Sequence, residues 1–209
     1  YDSPSLNLEQ GWWWVTGRAL TEDGLCSYDV WTSEIFKEDE WVPGPQHPVG
    51  SSAHYPCIVQ LNATHSLYAG GDSTLDQTWL YEWSSQTWTE SGRLNQGRRD
   101  HSCVVLDEGV LAVGGWNVEF LHSVEFFDPV QGIWTPYAVS IPENIDPSNP
   151  ILFLWEGTVI ALLEGEDKVY RLQEDGTWSA LEGVLLPEVF QGADVDKATL
   201  VPLTFKAGF

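Results

Sequence analysis

One pattern recurs along this chain every 44 to 47 residues, and a period of that length leaves few folds open. Residues 54–92 read in parallel with residues 101–137. Tryptophans fall at Trp41, Trp88, Trp134 and Trp178, separated by 47, 46 and 44 residues. Tight-turn glycines fall at Gly17, at the Gly70–Gly71 and Gly114–Gly115 pairs, and at Gly165. Within one unit, residues 57–61 form a short apolar run rich in β-branched side chains, and residues 62–65 a polar turn. Residues 66–69 make a second run that ends on Gly70–Gly71; residues 77–83 then alternate polar and bulky side chains, as a half-buried strand does. A turn at 84–86 leads to a short edge strand, 87–90, which carries Trp88. The next unit copies this order at 103–106, 110–113, 123–127 and 133–135.

A four-stranded unit of this size cannot bury both faces alone. Radial stacking lets each sheet cover its neighbour, so the period predicts an all-β propeller of four-stranded antiparallel blades. Gly70, Gly71, Gly114 and Gly115 are expected to permit backbone angles and close approaches that a Cβ would forbid. Trp88 and Trp134 are expected to lie across an adjoining sheet, each burying about 150–250 Å². The flanking units are less regular, with strands expected at 11–16 and 27–32 and an outer hairpin at 33–42, and strands at 151–155, 158–163, 168–172 and 177–180. The whole chain, 1–209, thus reads as one domain with blades near 11–50, 54–92, 101–137 and 151–182. The first blade begins at the equivalent of a second strand, and residues 198–205 offer one more. Pairing that terminal strand beside 11–16 would close a ring of four. A share in a larger ring, or cooperation of two copies, would hide the same edges.

These residues resemble the Kelch motif, whose signature is an apolar strand, a Gly–Gly pair, an aromatic strand with Tyr or Phe, and a downstream Trp. Gly70–Gly71, Tyr81 and Trp88 match it in one unit, and Gly114–Gly115, Phe127 and Trp134 in the next. Arg98 and His101 resemble the polar lead-in to a Kelch inner strand. The match is closest over 54–137; Gly17–Arg18 and Glu164–Gly165 replace the glycine pair in the flanking units. The resemblance implies a β-propeller and a protein-recognition role, without naming a partner.

Charge narrows the partner class. The chain carries 31 acidic and 9 basic side chains, formally -22, a field that repels nucleic acids and anionic bilayers. It favours a basic partner, divalent cations or plain solubility. No run of 18 apolar residues marks a membrane span. The chain starts at Tyr1, which fits a processed chain or a fragment. Asn62-Ala63-Thr64 is an N-glycosylation acceptor between two strands, and with it the chain reads as secreted or extracellular. Of the three cysteines, Cys57 and Cys103 occupy equivalent strand positions. They are read here as buried free thiols, with a Cys57–Cys103 bridge as the alternative.

Catalytic signals are weak. The five histidines, His47, His54, His65, His101 and His122, form no compact metal motif, and no G-x-S-x-G elbow is present. His54 and His101 precede equivalent strands, where they would line a channel mouth or cap strand ends with hydrogen bonds; His65 reads as solvent-facing. A copper oxidase on a Kelch-like propeller would need a Tyr–Cys cross-link and two histidines, for which Cys26 and Tyr28 are a poor beginning. No catalytic residue, metal ligand or cofactor is assigned. Acidic segments 37–40 and 164–167 lack the ligand alternation of an EF-hand loop, leaving at most weak calcium association or a calcium-associated matrix role. Binding through loops fits better, because blade connections gather at the ends of a propeller. Candidate protein-binding residues are Asp72 and Asp76 in one loop and Trp116, Glu119 and Phe120 in its equivalent. Exposed aromatics there would anchor a basic or amphipathic peptide; the alternative is that one or both tuck beneath the loop.

Overall fold

The computed structural model describes residues 5–7, 13–18, 31–37, 40–45, 55–137, 140–143, 145–148, 150–163 and 168–185. Four four-stranded antiparallel sheets account for most of them. The first contains β1 (Ser5–Asn7), β2 (Trp13–Arg18), β3 (Trp31–Lys37) and β4 (Glu40–Pro43). The second contains β5 (Cys57–Gln60), β6 (His65–Ala69), β7 (Thr78–Glu82) and β8 (Thr87–Glu90). The third contains β9 (Ser102–Leu106), β10 (Gly109–Val113), β13 (Val124–Asp128) and β14 (Ile133–Pro136), and the chain between β10 and β13 forms a separate two-stranded hairpin of β11 (Trp116–Asn117) and β12 (Glu119–Phe120). The fourth contains β15 (Ile151–Trp155), β16 (Thr158–Leu162), β17 (Lys168–Leu172) and β18 (Trp178–Leu185). The strands of every sheet lie in chain order, each antiparallel to the next.

Stacking follows from the period-2 alternation of β10. Val110 and Ala112 face one way, into a core shared with Cys57, Leu67 and Ala69 of the second sheet. Leu111 and Val113 face the other way, into a core shared with Val159, Ala161 and Tyr170 of the fourth. The third sheet is therefore covered on both faces, and its strand β10 is buried throughout. The first strands of successive sheets lie side by side, β1 against β5, β5 against β9, and β9 against β15. This is the all-β, propeller-type arrangement that the period demands.

Two of the four periodic tryptophans, Trp134 and Trp178, bolt this stack; Trp41 is 55% exposed, and Trp88, expected across an adjoining sheet, packs on aromatic rings of its own sheet. Trp134 on β14 is buried, rests on Phe127 with ring centroids 5.1 Å apart, and donates its indole N–H to Thr78 Oγ1 on the second sheet at 3.0 Å. Trp178 on β18 enters the core between the third and fourth sheets. Trp88 is half-buried and packs edge-on against Tyr68 and tilted against Tyr81 of its own sheet.

The first sheet differs from its sequence reading at one edge. Residues 33–42, expected to carry an outer hairpin, do so in β3 and β4, where Glu34–Lys37 return directly onto Glu40–Pro43; of the strand expected at 27–32, residues 27–30 lie outside the described residues and Trp31 and Thr32 belong to β3. The place beside β2 expected for residues 198–205 is taken by β1, with Ser5 opposite Val15 and Asn7 opposite Trp13. Residues 198–205 lie outside the described residues, as do Cys26, Tyr28, His47, His54, Gly165 and most of the two acidic segments.

Candidate functional site

Two equivalent connections form one end of the described structure: residues 70–77 between β6 and β7, and residues 114–123 between β10 and β13. Each opens on its glycine pair with positive φ, +71° and +96° at Gly70 and Gly71, +69° and +99° at Gly114 and Gly115. A Cβ on Gly70 would collide with the Arg98 carbonyl oxygen, and one on Gly114 with that of Pro147. The close approach lets the second glycine bond to the linker that enters the next sheet. Gly71 donates its N–H to Arg98 O at 3.0 Å, and Gly115 donates its N–H to Pro147 O at 2.8 Å.

Arg98 then ties that linker to the third sheet from within. Its side chain is fully buried and lies 2.7 Å from Glu125 Oε1 on β13. It also donates to Gly114 O at 2.8 Å, Ser123 O at 3.0 Å and Ser123 Oγ at 3.1 Å. Glu125 takes backbone N–H bonds from Asn95 and Gln96, at 2.7 and 2.9 Å. Burial pulls the guanidinium below its ordinary pKa, and the Glu125 carboxylate opposes that pull. Such a pair persists in a low-dielectric interior only because its remaining donors and acceptors are met.

Arg99, the next residue, points the other way and joins the two loops. It pairs with Asp72 from the first loop, and its guanidinium carbon stands 4.4 Å from the ring centroid of Trp116 in the second. Backbone bonds between Arg99 and Trp116 run both ways, at 2.8 and 3.1 Å. Asn117 Nδ2 donates to Gly97 O at 2.9 Å. The segment expected as loop is thereby folded into the β11–β12 hairpin, with Val118 at its tip at φ +64°. A β-branched residue rarely adopts that angle, and Val118 is 86% exposed. Phe120 is 51% exposed and Glu119 stands out beside it.

The sequence candidates therefore divide. Asp72 and Trp116 are brought together through Arg99, and Trp116 is half-buried rather than a free anchor. Glu119 and Phe120 stay at the outer strand of the hairpin. Asp76 stands apart, paired with Arg93 at 3.2 Å on an exposed flank. Sequence reasoning missed Arg99, Val118 and Glu125. A signal existed for the first: Arg93, Arg98 and Arg99 are three of only nine cationic residues, clustered within seven positions.

Behind this surface, β5 and β9 are joined by a Cys57–Cys103 disulfide with Cα atoms 5.8 Å apart. The free-thiol reading is thus corrected: equivalent positions on adjacent inner strands bring the two Cβ atoms within bridging reach. His101 neither lines a mouth nor caps a strand. It is 6% exposed, and neither ring nitrogen has a hydrogen-bond partner among the described residues. Burial, with the Arg98 charge second, holds its pKa well below the ordinary 6.5. His65 is half-buried at the start of β6, 2.8 Å from Thr64 Oγ1. Asn62 is exposed on the β5–β6 turn, where its Oδ1 accepts from Thr64 N at 2.9 Å and His65 N at 3.0 Å.

Comparison with known proteins agrees with this geometry. The Kelch motif matches residues 97–138. Kelch-like protein 35 of Homo sapiens is 27% identical over 110 residues, covering 52% of this chain and 18% of the relative. Kelch repeat-containing protein kel-10 of Caenorhabditis elegans is 30% identical over 153 residues, covering 65% of this chain and 25% of the relative. The chain thus spans a quarter or less of these two relatives' lengths. Among solved structures, one titled "Structure of YjhT" superposes with a TM-score of 0.62 at 13% identity, over 86% of this chain and 65% of that one. Matched motif, Kelch-like relatives and stacked four-stranded sheets converge: the chain carries a Kelch motif at residues 97–138, is similar to Kelch-repeat proteins, and has a propeller-type fold.

Proposed function

We propose that this chain is a noncatalytic recognition or scaffold unit that docks another protein on the loop surface around the β11–β12 hairpin. Similarity to Kelch-like proteins supports a protein-interaction scaffold. The observation that carries the choice of surface is the hairpin itself: Val118 and Phe120 are exposed apolar side chains held rigid by the Arg99–Trp116 ladder. Exposed aromatics on a fixed support lose little entropy on binding and serve as anchors. Glu119 beside them and a formal charge of -22 suit a basic or amphipathic segment. Secretion belongs to the same proposal, supported by the Cys57–Cys103 bond, a bond type that persists in oxidising compartments, and by the exposed sequon at Asn62.

The test uses the wild-type chain and a Val118→Ser, Phe120→Ala double variant as immobilised baits against the secreted proteins of the source organism. A partner that binds wild type directly and loses about tenfold or more affinity on the variant supports the reading. Partners retained equally by both baits sink it.

A further inference from the structure

Cys57, Cys103 and His101 make a second, separate constellation. One donor atom from each lies within 4.8 Å of the other two. Cys57 is on β5, Cys103 on β9, and His101 immediately precedes β9, so the group sits where two inner strands meet. The imidazole is buried with both nitrogens unpartnered among the described residues, a costly state for a polar ring. Its position is built by both glycine pairs. A Cβ on Gly70 would stand 2.6 Å from His101 Cε1, and one on Gly115 would stand 2.7 Å from His101 Cβ. The two blades hold the ring against the sulfurs instead of giving it a hydrogen bond.

We propose that the reduced chain binds one thiophilic d10 metal ion, Zn2+ or Cu+, through Cys57 Sγ, Cys103 Sγ and one ring nitrogen of His101, and that the Cys57–Cys103 bond closes this site. Two thiolates and an imidazole are the donor set such ions select, and the constellation offers no oxygen ligands for Ca2+ or Mg2+. In the disulfide each sulfur's bonding electrons are shared with the other, leaving two poor ligands. A dithiol reductant opens the bond: it gives up two electrons and two protons, becomes a cyclic disulfide, and leaves Cys57 and Cys103 as thiols. Metal binding then replaces the two thiol protons, which pass to solvent, with two metal–sulfur bonds. The ion takes over the cross-link between β5 and β9, so the second and third sheets stay joined in either state. A three-donor set suits Cu+ directly, whereas Zn2+ would complete four ligands with water.

The experiment uses the full chain with Cys26→Ala, to remove the third thiol. Oxidised and dithiol-reduced protein, the latter freed of reductant under nitrogen, are titrated with Zn2+ and with Cu+ against chromophoric competitors. The expected result is one ion per reduced chain, none per oxidised chain, and at least about tenfold weaker binding in His101→Phe. Comparison of the two titrations identifies the ion. Reduced protein that binds neither ion overturns the proposal, as does affinity unchanged in His101→Phe. If His101→Phe fails to fold, Co2+ in the reduced parent chain decides instead: an intense thiolate-to-cobalt absorption at one equivalent supports the site, and none overturns it.

Discussion

Arg98 and Glu125 form a fully buried ion pair, 2.7 Å apart, that joins the linker after the second sheet to the third strand of the next. Every oxygen of that carboxylate is engaged, by Arg98 and by N–H groups of Asn95 and Gln96. Removing one member leaves the other charge buried without its partner. Glu125→Ala is expected to lower unfolding free energy by about 3–5 kcal/mol, read by urea denaturation. An Arg98→Met, Glu125→Leu double variant is expected to recover much of that loss, since no charge then remains inside. A double variant less stable than Glu125→Ala would show that the pair adds net stability of its own.

Trp134 reaches the neighbouring sheet through one hydrogen bond to Thr78, whose side chain is otherwise sealed in the core. Trp134→Phe keeps the ring against Phe127 but leaves Thr78 Oγ1 without its indole donor. The expected cost is about 1–3 kcal/mol. Adding Thr78→Val should return part of it, and the double-mutant cycle measures how much. Strict additivity of the two substitutions would mean that the bond contributes nothing.

Much of this architecture is legible in the sequence because it rests on short-range physics. The unbroken apolar run of β10, a strand covered on both faces, and the spacing of Trp134 and Trp178 come from sheet stacking, and both show in the residue order. Glu125 was invisible for a different reason. It is one of 31 acidic residues, and only the fold reveals that it faces Arg98 rather than water. Likewise Arg99 selects between the exposed and tucked readings of Trp116 through a contact across 17 residues of chain. His101 looked like a channel-mouth residue or a strand cap because, like His54, it stands just before an inner strand. Its burial follows from two glycine pairs in different sheets, a relationship no single unit contains.

Gly70 and Gly157 share a positive φ, +71° and +76°, but not their surroundings. A Cβ on Gly157 meets nothing within 4 Å, whereas one on Gly70 strikes the Arg98 carbonyl oxygen and the His101 ring. Gly157→Ala should cost only the left-handed backbone penalty, about 1–2 kcal/mol. Gly70→Ala should cost clearly more and loosen the loop carrying Asp72. Thermal unfolding of the two variants separates these contributions; equal losses would mean that the crowding at Gly70 relaxes freely.

His101 sets a pH dependence in the disulfide-bonded chain. Its folded pKa is depressed, by burial first and by the facing Arg98 charge second, while the unfolded chain titrates near the ordinary 6.5. Below 6.5 the unfolded chain therefore binds more protons than the folded one. The sign follows: stability is full above 6.5 and falls as pH drops toward the folded pKa, by up to about 1.4 kcal/mol per pH unit. Most carboxylates titrate lower, and the difference between wild type and His101→Phe just below 6.5 isolates this imidazole from the other four. Urea midpoints of oxidised wild type should fall more steeply across that interval than those of His101→Phe. A wild-type curve parallel to that of His101→Phe would mean that the ring gains a proton in the folded state as easily as in water.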